Sequence, residues 1–150
     1  MEVIFTEEFK FVIPGEPFGK QRPRASRRGN FIHMYTPEET VAYEEFVREC
    51  FNKEHKDKSL VGELKIHVVA YFTIAQSLSK IKKQHMLAGL IRPVKKPDWD
   101  NLGKIVSDAL NEVAYHDDSA IVDAHVEKFY SDEPRVEVSI IGEIGEISEE

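Results

Sequence analysis

Apolar and polar positions alternate at the start of this chain, recur at helical spacing in two later stretches, and alternate again toward its end. Residues 7–13 place Phe9, Phe11 and Ile13 on one side, which predicts a strand ended by Pro14-Gly15-Glu16-Pro17. Residues 19–30 read as a loop, and Phe31 to Tyr35 as a short strand. Thr36-Pro37-Glu38-Glu39 predicts a helix start: Thr36 caps, Pro37 takes the first helical position and Glu39 completes a capping box. That helix runs to about Asn52 and buries Tyr43, Phe46, Val47, Cys50 and Phe51, with residues 53–59 as a charged connection. Residues 63–74 carry Leu64, Ile66, Val68, Ala70, Phe72 and Ile74 on one face, and Val69 and Tyr71 make the other partly apolar. That combination suits a central strand. A short basic helix starts at Ser77 or Ser79 and ends near Gly89.

From Asp100 to Val113 the pattern is helical, with Leu102, Ile105, Val106, Ala109, Leu110 and Val113 at three- and four-residue steps. Residues 119–130 and Val136 to Ile140 read as two strands around the turn Ser131-Asp132-Glu133-Pro134, so 119–141 looks like a hairpin. The tail after Gly142 is expected to fray. The order strands, helix, strand, helices, strands predicts a mixed α/β (α+β) fold: one domain over residues 1–150, with a single mixed β-sheet and helices packed on it.

The 150 residues suffice for a core without staples. Cys50 is the one cysteine, which excludes an intramolecular disulfide framework, and no paired-cysteine motif suggests zinc. Nothing at Met1-Glu2-Val3-Ile4 resembles a secretory leader, and no apolar run approaches the roughly 18 residues of a membrane span, so a cytoplasmic protein without a membrane partner is expected. The net charge of −7 argues against a nucleic-acid partner only until its distribution is considered. Lys20, Arg22, Arg24, Arg27 and Arg28 form one basic tract; Lys80, Lys82, Lys83, Arg92, Lys95 and Lys96 form another, and neither contains an acid. Glu143, Glu146, Glu149 and Glu150 make the tail acidic. The tracts suit phosphate, or are simply solvated loops.

The chemistry concentrates in Lys95-Lys96-Pro97-Asp98-Trp99-Asp100-Asn101-Leu102-Gly103-Lys104. Pro97 biases Lys96 toward an extended shape, in which Asp98 and Asp100 can face one point. At 100° per residue, Asp100, Lys104 and Asn111 fall within about 40° of one another, opposite the apolar stripe, with Asp108 a further turn along. His116-Asp117-Asp118-Ser119 then places two more acids in a turn. Converging carboxylates need a compensating cation, and hard oxygen donors select Mg²⁺ or Mn²⁺. Each piece also has a plain structural explanation. Asp98 or Asp100 could cap the helix, Lys104 could form an ordinary ion pair with Asp100, and Asp117-Asp118 could be turn formers. An EF-hand loop fails, because its fifth position would be Leu102 and its twelfth Ala109.

Lys96 to Lys104, followed by Asp108-Ala109-Leu110-Asn111 and Asp117-Asp118, resembles the RusA-like endodeoxyribonucleases, the phage and prophage Holliday-junction resolvases. Pro14-Gly15-Glu16-Pro17-Phe18-Gly19-Lys20-Gln21-Arg22-Pro23-Arg24 and Ile91-Arg92-Pro93 resemble the same family. The resemblance implies a homodimer acting on branched DNA, the four-way junction, by paired symmetric nicks in recombination and repair. It implies Mg²⁺ (Mn²⁺ as substitute) on Asp98, Asp100 and Asp118, with Asp117 a further candidate, Lys104 as an essential basic residue, and no small-molecule cofactor. Lys20, Arg22, Arg24, Arg27, Arg28, Lys95 and Lys96 would then track the DNA backbone. Glu112 stands where the family pattern leads one to expect glycine before the acidic turn. The competing functions are a non-catalytic branched-DNA-binding module, a nuclease for flaps, and a small-substrate phosphohydrolase.

Overall fold

Strand β1 (Thr6–Pro14) buries Phe9, Phe11 and Ile13 as its alternation requires. It opens a computed structural model that describes residues 5–147. Gly15 turns the chain at φ 101, and the Glu16 carboxylate then accepts hydrogen bonds from the Thr73 backbone and hydroxyl.

The basic tract is not the expected loop. Arg24–Arg28 form β2 and pair antiparallel with β3 (Phe31–Tyr35) in a second, two-stranded sheet. The turn is Gly29-Asn30, with Gly29 at φ 62, which fits the glycine-first two-residue hairpin loop.

Helix α1 (Glu38–His55) starts one residue later than the capping box required and runs three residues longer than expected. Pro37 is extended at the cap position and no side chain caps the helix. Glu39 instead accepts a hydrogen bond from Gln21. Val47 and Phe51 are buried and Tyr43 and Cys50 half-buried, but Phe46 lies mostly outside the core.

Strand β4 (Leu60–Thr73) is central, and its face from Leu64 to Phe72 is buried throughout. Helix α2 (Lys80–Leu87) is capped by the Ser79 hydroxyl. Helix α3 (Trp99–Ala109) ends four residues earlier than its periodicity suggested. A short 3-10 turn (Asp118–Ala120) leads into β5 (Ile121–Ser131), and β6 (Arg135–Ile144) follows.

The main sheet has the order β1-β6-β4-β5, with β4 and β5 parallel and the other pairs antiparallel. The expected 119–141 hairpin is therefore wrong, because β5 and β6 flank β4 on opposite sides. Burial explains the choice. Val136, Val138 and Ile140 of β6 are each fully buried, which an interior strand provides, whereas β5 stays partly exposed along its length, as an edge strand does.

One face of this sheet carries α1 and α3, and the core joins Phe9, Phe51, Leu64, Leu102, Ile105 and Ile140. The tail is ordered further than expected. β6 continues to Ile144, and the Gly145 carbonyl accepts from the Ser59 hydroxyl at 2.6 Å. Glu149 and Glu150 lie outside the described residues. Among the described residues no helix is long and apolar enough to cross a membrane.

Candidate active site

The buried stripe Leu102, Ile105, Val106 and Ala109 clamps α3 to the sheet and leaves Asp100, Lys104 and Asp108 on the outer side. Gly103 allows this close seat, since a Cβ there would stand 3.2 Å from Val126. Asp98 occupies the cap position, but its side chain makes no capping hydrogen bond. Its carbonyl accepts from the Leu102 amide at 3.0 Å, and the exposed carboxylate stays free for other work. Trp99, between the two acids, is about two-thirds exposed.

A second acidic group forms at the other end of the helix. The carboxyls of Asp108 and Asp118 share a hydrogen bond. Burial, that bond and the charges of Asp108 and Asp117 hold Asp118 above its ordinary value, while the nearby Lys104 ammonium opposes the rise. Asn111 places Asp118, accepting from its backbone amide at 2.8 Å. Glu112, in the left-handed region at φ 62, makes the turn between them, and its carboxylate pairs with His116 at 2.8 Å. Asp117 is spent on its own turn: it accepts from the Ser119 amide at 3.0 Å, and bonds to Ser119 lower its pKa. Tyr115 lies buried beneath, its hydroxyl donating to the Ser107 carbonyl; burial and the charges of Asp118, Asp108 and Asp117 push its pKa up.

The partners of two lysines escaped the sequence. Lys20 was expected on DNA, but its ammonium is held 2.5 Å from Glu44 and 3.3 Å from Asp108, with only a fifth of the side chain exposed. Burial lowers its pKa, yet the hydrogen bonds and charges of Glu44 and Asp108 outweigh that and leave it raised. Lys128 of β5 stands near Asp98 and donates to the Lys95 carbonyl; burial chiefly lowers its pKa. No motif contains either lysine together with its partner, because α1, α3 and β5 meet only in the fold.

Arg22, Arg24, Arg27, Arg28, Lys95 and Lys96 are all exposed. The first tract joins the site at its root. Lys20 donates its amide to the Asn101 carbonyl at 2.9 Å, and a Cβ on Gly19 would lie 2.6 Å from Pro97.

The side chains therefore stand in two groups: Asp98 and Asp100 at the start of α3, and Asp108 and Asp118 near its end, with Lys104 between. Eight residues of helix, about 12 Å of rise, separate Asp100 from Asp108. Among the described residues, no three His, Cys, Asp or Glu side chains converge closely enough to hold an ion. The donors fit a hard divalent cation in kind. They are all carboxylate oxygens, and the Asp108–Asp118 pair brings two acids together where a proton or a cation must offset their repulsion.

A family model described as Endodeoxyribonuclease RusA matches residues 14–141. The chain is also 41% identical over 133 residues to the Bacillus subtilis (strain 168) protein named "Uncharacterized protein YqaN", covering 87% of this chain and 94% of that protein.

Proposed function

The chain belongs to the RusA endodeoxyribonuclease family, and from that premise we propose that it resolves four-way DNA junctions by paired symmetric nicks, in recombination and repair. The observation that carries this reading is the outer side of α3. There Asp98 and Asp100, Lys104, and the Asp108–Asp118 pair line a surface from whose edge the arginine-rich ribbon of β2 and β3 springs.

Asp98 with Asp100 at one end of α3, and Asp118 with Asp108 at the other, would each offer carboxylate oxygens to Mg²⁺, or Mn²⁺ in its place; the two groups do not converge on one ion. Asp117 remains with its turn. When bound, the ion supplies a Lewis acid to the scissile phosphate and acidifies a water. Lys104, close enough to Asp118 to affect its titration, offsets the negative charge that builds on the phosphate. Asn111 and the Glu112 turn fix Asp118. Arg22, Arg24, Arg27, Arg28, Lys95 and Lys96 contact the backbone, which positions the DNA without reading its bases. Lys20 instead braces the acids from inside. Two copies about a two-fold axis would match the symmetry of a junction.

Cleavage of a labelled synthetic four-way junction with Mg²⁺, comparing wild type with Asp100→Asn, tests this. Symmetric nicking that the variant loses supports the proposal. Junction binding without nicking by wild type would make the chain a branched-DNA-binding module, and preference for a flap substrate would reassign its specificity.

A further inference from the structure

The β2–β3 ribbon belongs to no core. Among the described residues it pairs only with itself, and nearly every residue in it is exposed. An isolated two-stranded hairpin is marginal in water, so exposing large apolar groups on one points to a partner.

Its register sorts its side chains. The opposed pairs Arg24–Tyr35, Ser26–His33 and Arg28–Phe31 alternate with the others along the ribbon and so lie on one face. That face holds three rings in a row, flanked by two arginines. Phe31, beside the turn, is 79% exposed. The His33 and Tyr35 rings are nearly parallel, 10° apart in plane, with centroids separated by 6.2 Å. That separation is close to twice the ~3.4 Å repeat of stacked bases. Between Glu16 and Glu38 the chain has no acid, so the surroundings favour a polyanion.

We propose that this aromatic face is a stacking platform for unpaired DNA bases at the branch point, with Arg24 and Arg28 holding the adjacent phosphates. The inference rests on the nuclease reading and deepens it, since it assigns branch recognition to Phe31, His33 and Tyr35. Rings with interleaved arginines are the chemistry that unpaired bases require, and paired duplex offers them no base faces. The location fits, because Lys20 is bonded to Asn101 inside the acidic motif and only residues 21–23 separate it from β2. The root of the ribbon is thereby tied to the helix start that carries Asp98 and Asp100.

The test uses junctions carrying 2-aminopurine at the branch point and, to prevent cutting, protein with Asp100→Asn. Phe31→Ala with Tyr35→Ala should abolish the protein-induced fluorescence change and weaken junction binding about tenfold or more. Affinity for linear duplex should stay unchanged, and Phe31→Trp with Tyr35→Phe should restore the signal. Unchanged fluorescence and junction affinity in the alanine variant, while wild type still nicks junctions, would overturn the platform and leave the nuclease reading intact. Equal weakening on junction and duplex would also overturn it, since the ribbon would then be a general tether. A dimer that becomes monomeric without DNA in the alanine variant would make the ribbon a contact between copies instead. Failure of the wild type to bind any junction would overturn both readings.

Discussion

Asp108 and Asp118 meet carboxyl to carboxyl, although one lies in the last turn of α3 and the other opens the 3-10 turn ahead of β5. Two acids so placed repel when both are ionised, and burial adds to the cost of ionising Asp118.

The sign of that cost is testable. Asp118 has a native pKa raised above the ordinary 3.8, so the folded state holds its proton more tightly than the unfolded state. Its contribution favours folding at acid pH and is lost as pH rises through 3.8 and then the raised native value. Asp118→Asn should therefore raise the metal-free melting temperature at pH 7. Because the group is largely solvent-screened, the gain is a few tenths of a kcal/mol, or about 1–2 °C, and it should shrink below pH 4. Melting curves at pH 7 and pH 3.5 check this, and a gain of equal size at both would count against it.

Lys20 is the internal cation of the cluster. Lys20→Met should leave Glu44 and Asp108 uncompensated and lower stability by about 1–2 kcal/mol. Urea unfolding reads the loss, and Asp108→Asn in the same chain should recover part of it.

Gly19 marks the closest approach of the ribbon's root to the acidic motif. Gly19→Ala places a Cβ 2.6 Å from Pro97 and 3.2 Å from Asn101, so the root must shift. We expect a stability cost of about 1–3 kcal/mol and a fall in junction cleavage. Paired melting and nicking assays on the variant measure both.

Glu112 adopts φ 62, where glycine costs least. Its bridge to His116 is exposed and contributes little. Glu112→Gly should thus stabilise the protein by about 0.5–1 kcal/mol, an increase of roughly 1–4 °C in melting temperature. A decrease would show that the His116 pair matters more than the backbone strain.

Much of this was legible in the chain. The three-and-four spacing from Leu102 to Leu110 fixes which side of α3 faces the core, and hence that Asp100, Lys104 and Asp108 face outward. The alternation from Leu64 to Phe72 identifies the central strand. The missing glycine at position 112 announces the strained turn that the structure contains. Other features depend on partners that the local pattern does not name. Nothing local tells β6 to pair with β1 and β4 instead of β5. Lys20 looked like a phosphate ligand because Glu44 and Asp108 are distant in sequence. The ribbon did carry a signal: Gly29-Asn30 between two short polar and aromatic runs is a hairpin loop, hidden by the density of arginines.

The placement of β6 has a consequence for how the molecule comes into being. Among the described residues, strand β1 finds its only sheet partner in residues 135–144, more than a hundred positions away. Until that segment docks, β4 and β5 can pair, but β1 has nowhere to go, and α1 and α3 have only half a platform beneath them. The last strand along the chain is thus the keystone of the sheet, and such long-range closure slows folding. Ribosome-bound chains shorter than this segment should hold β1 as an unpaired edge, and the proposed active site should assemble late, when β6 closes the sheet.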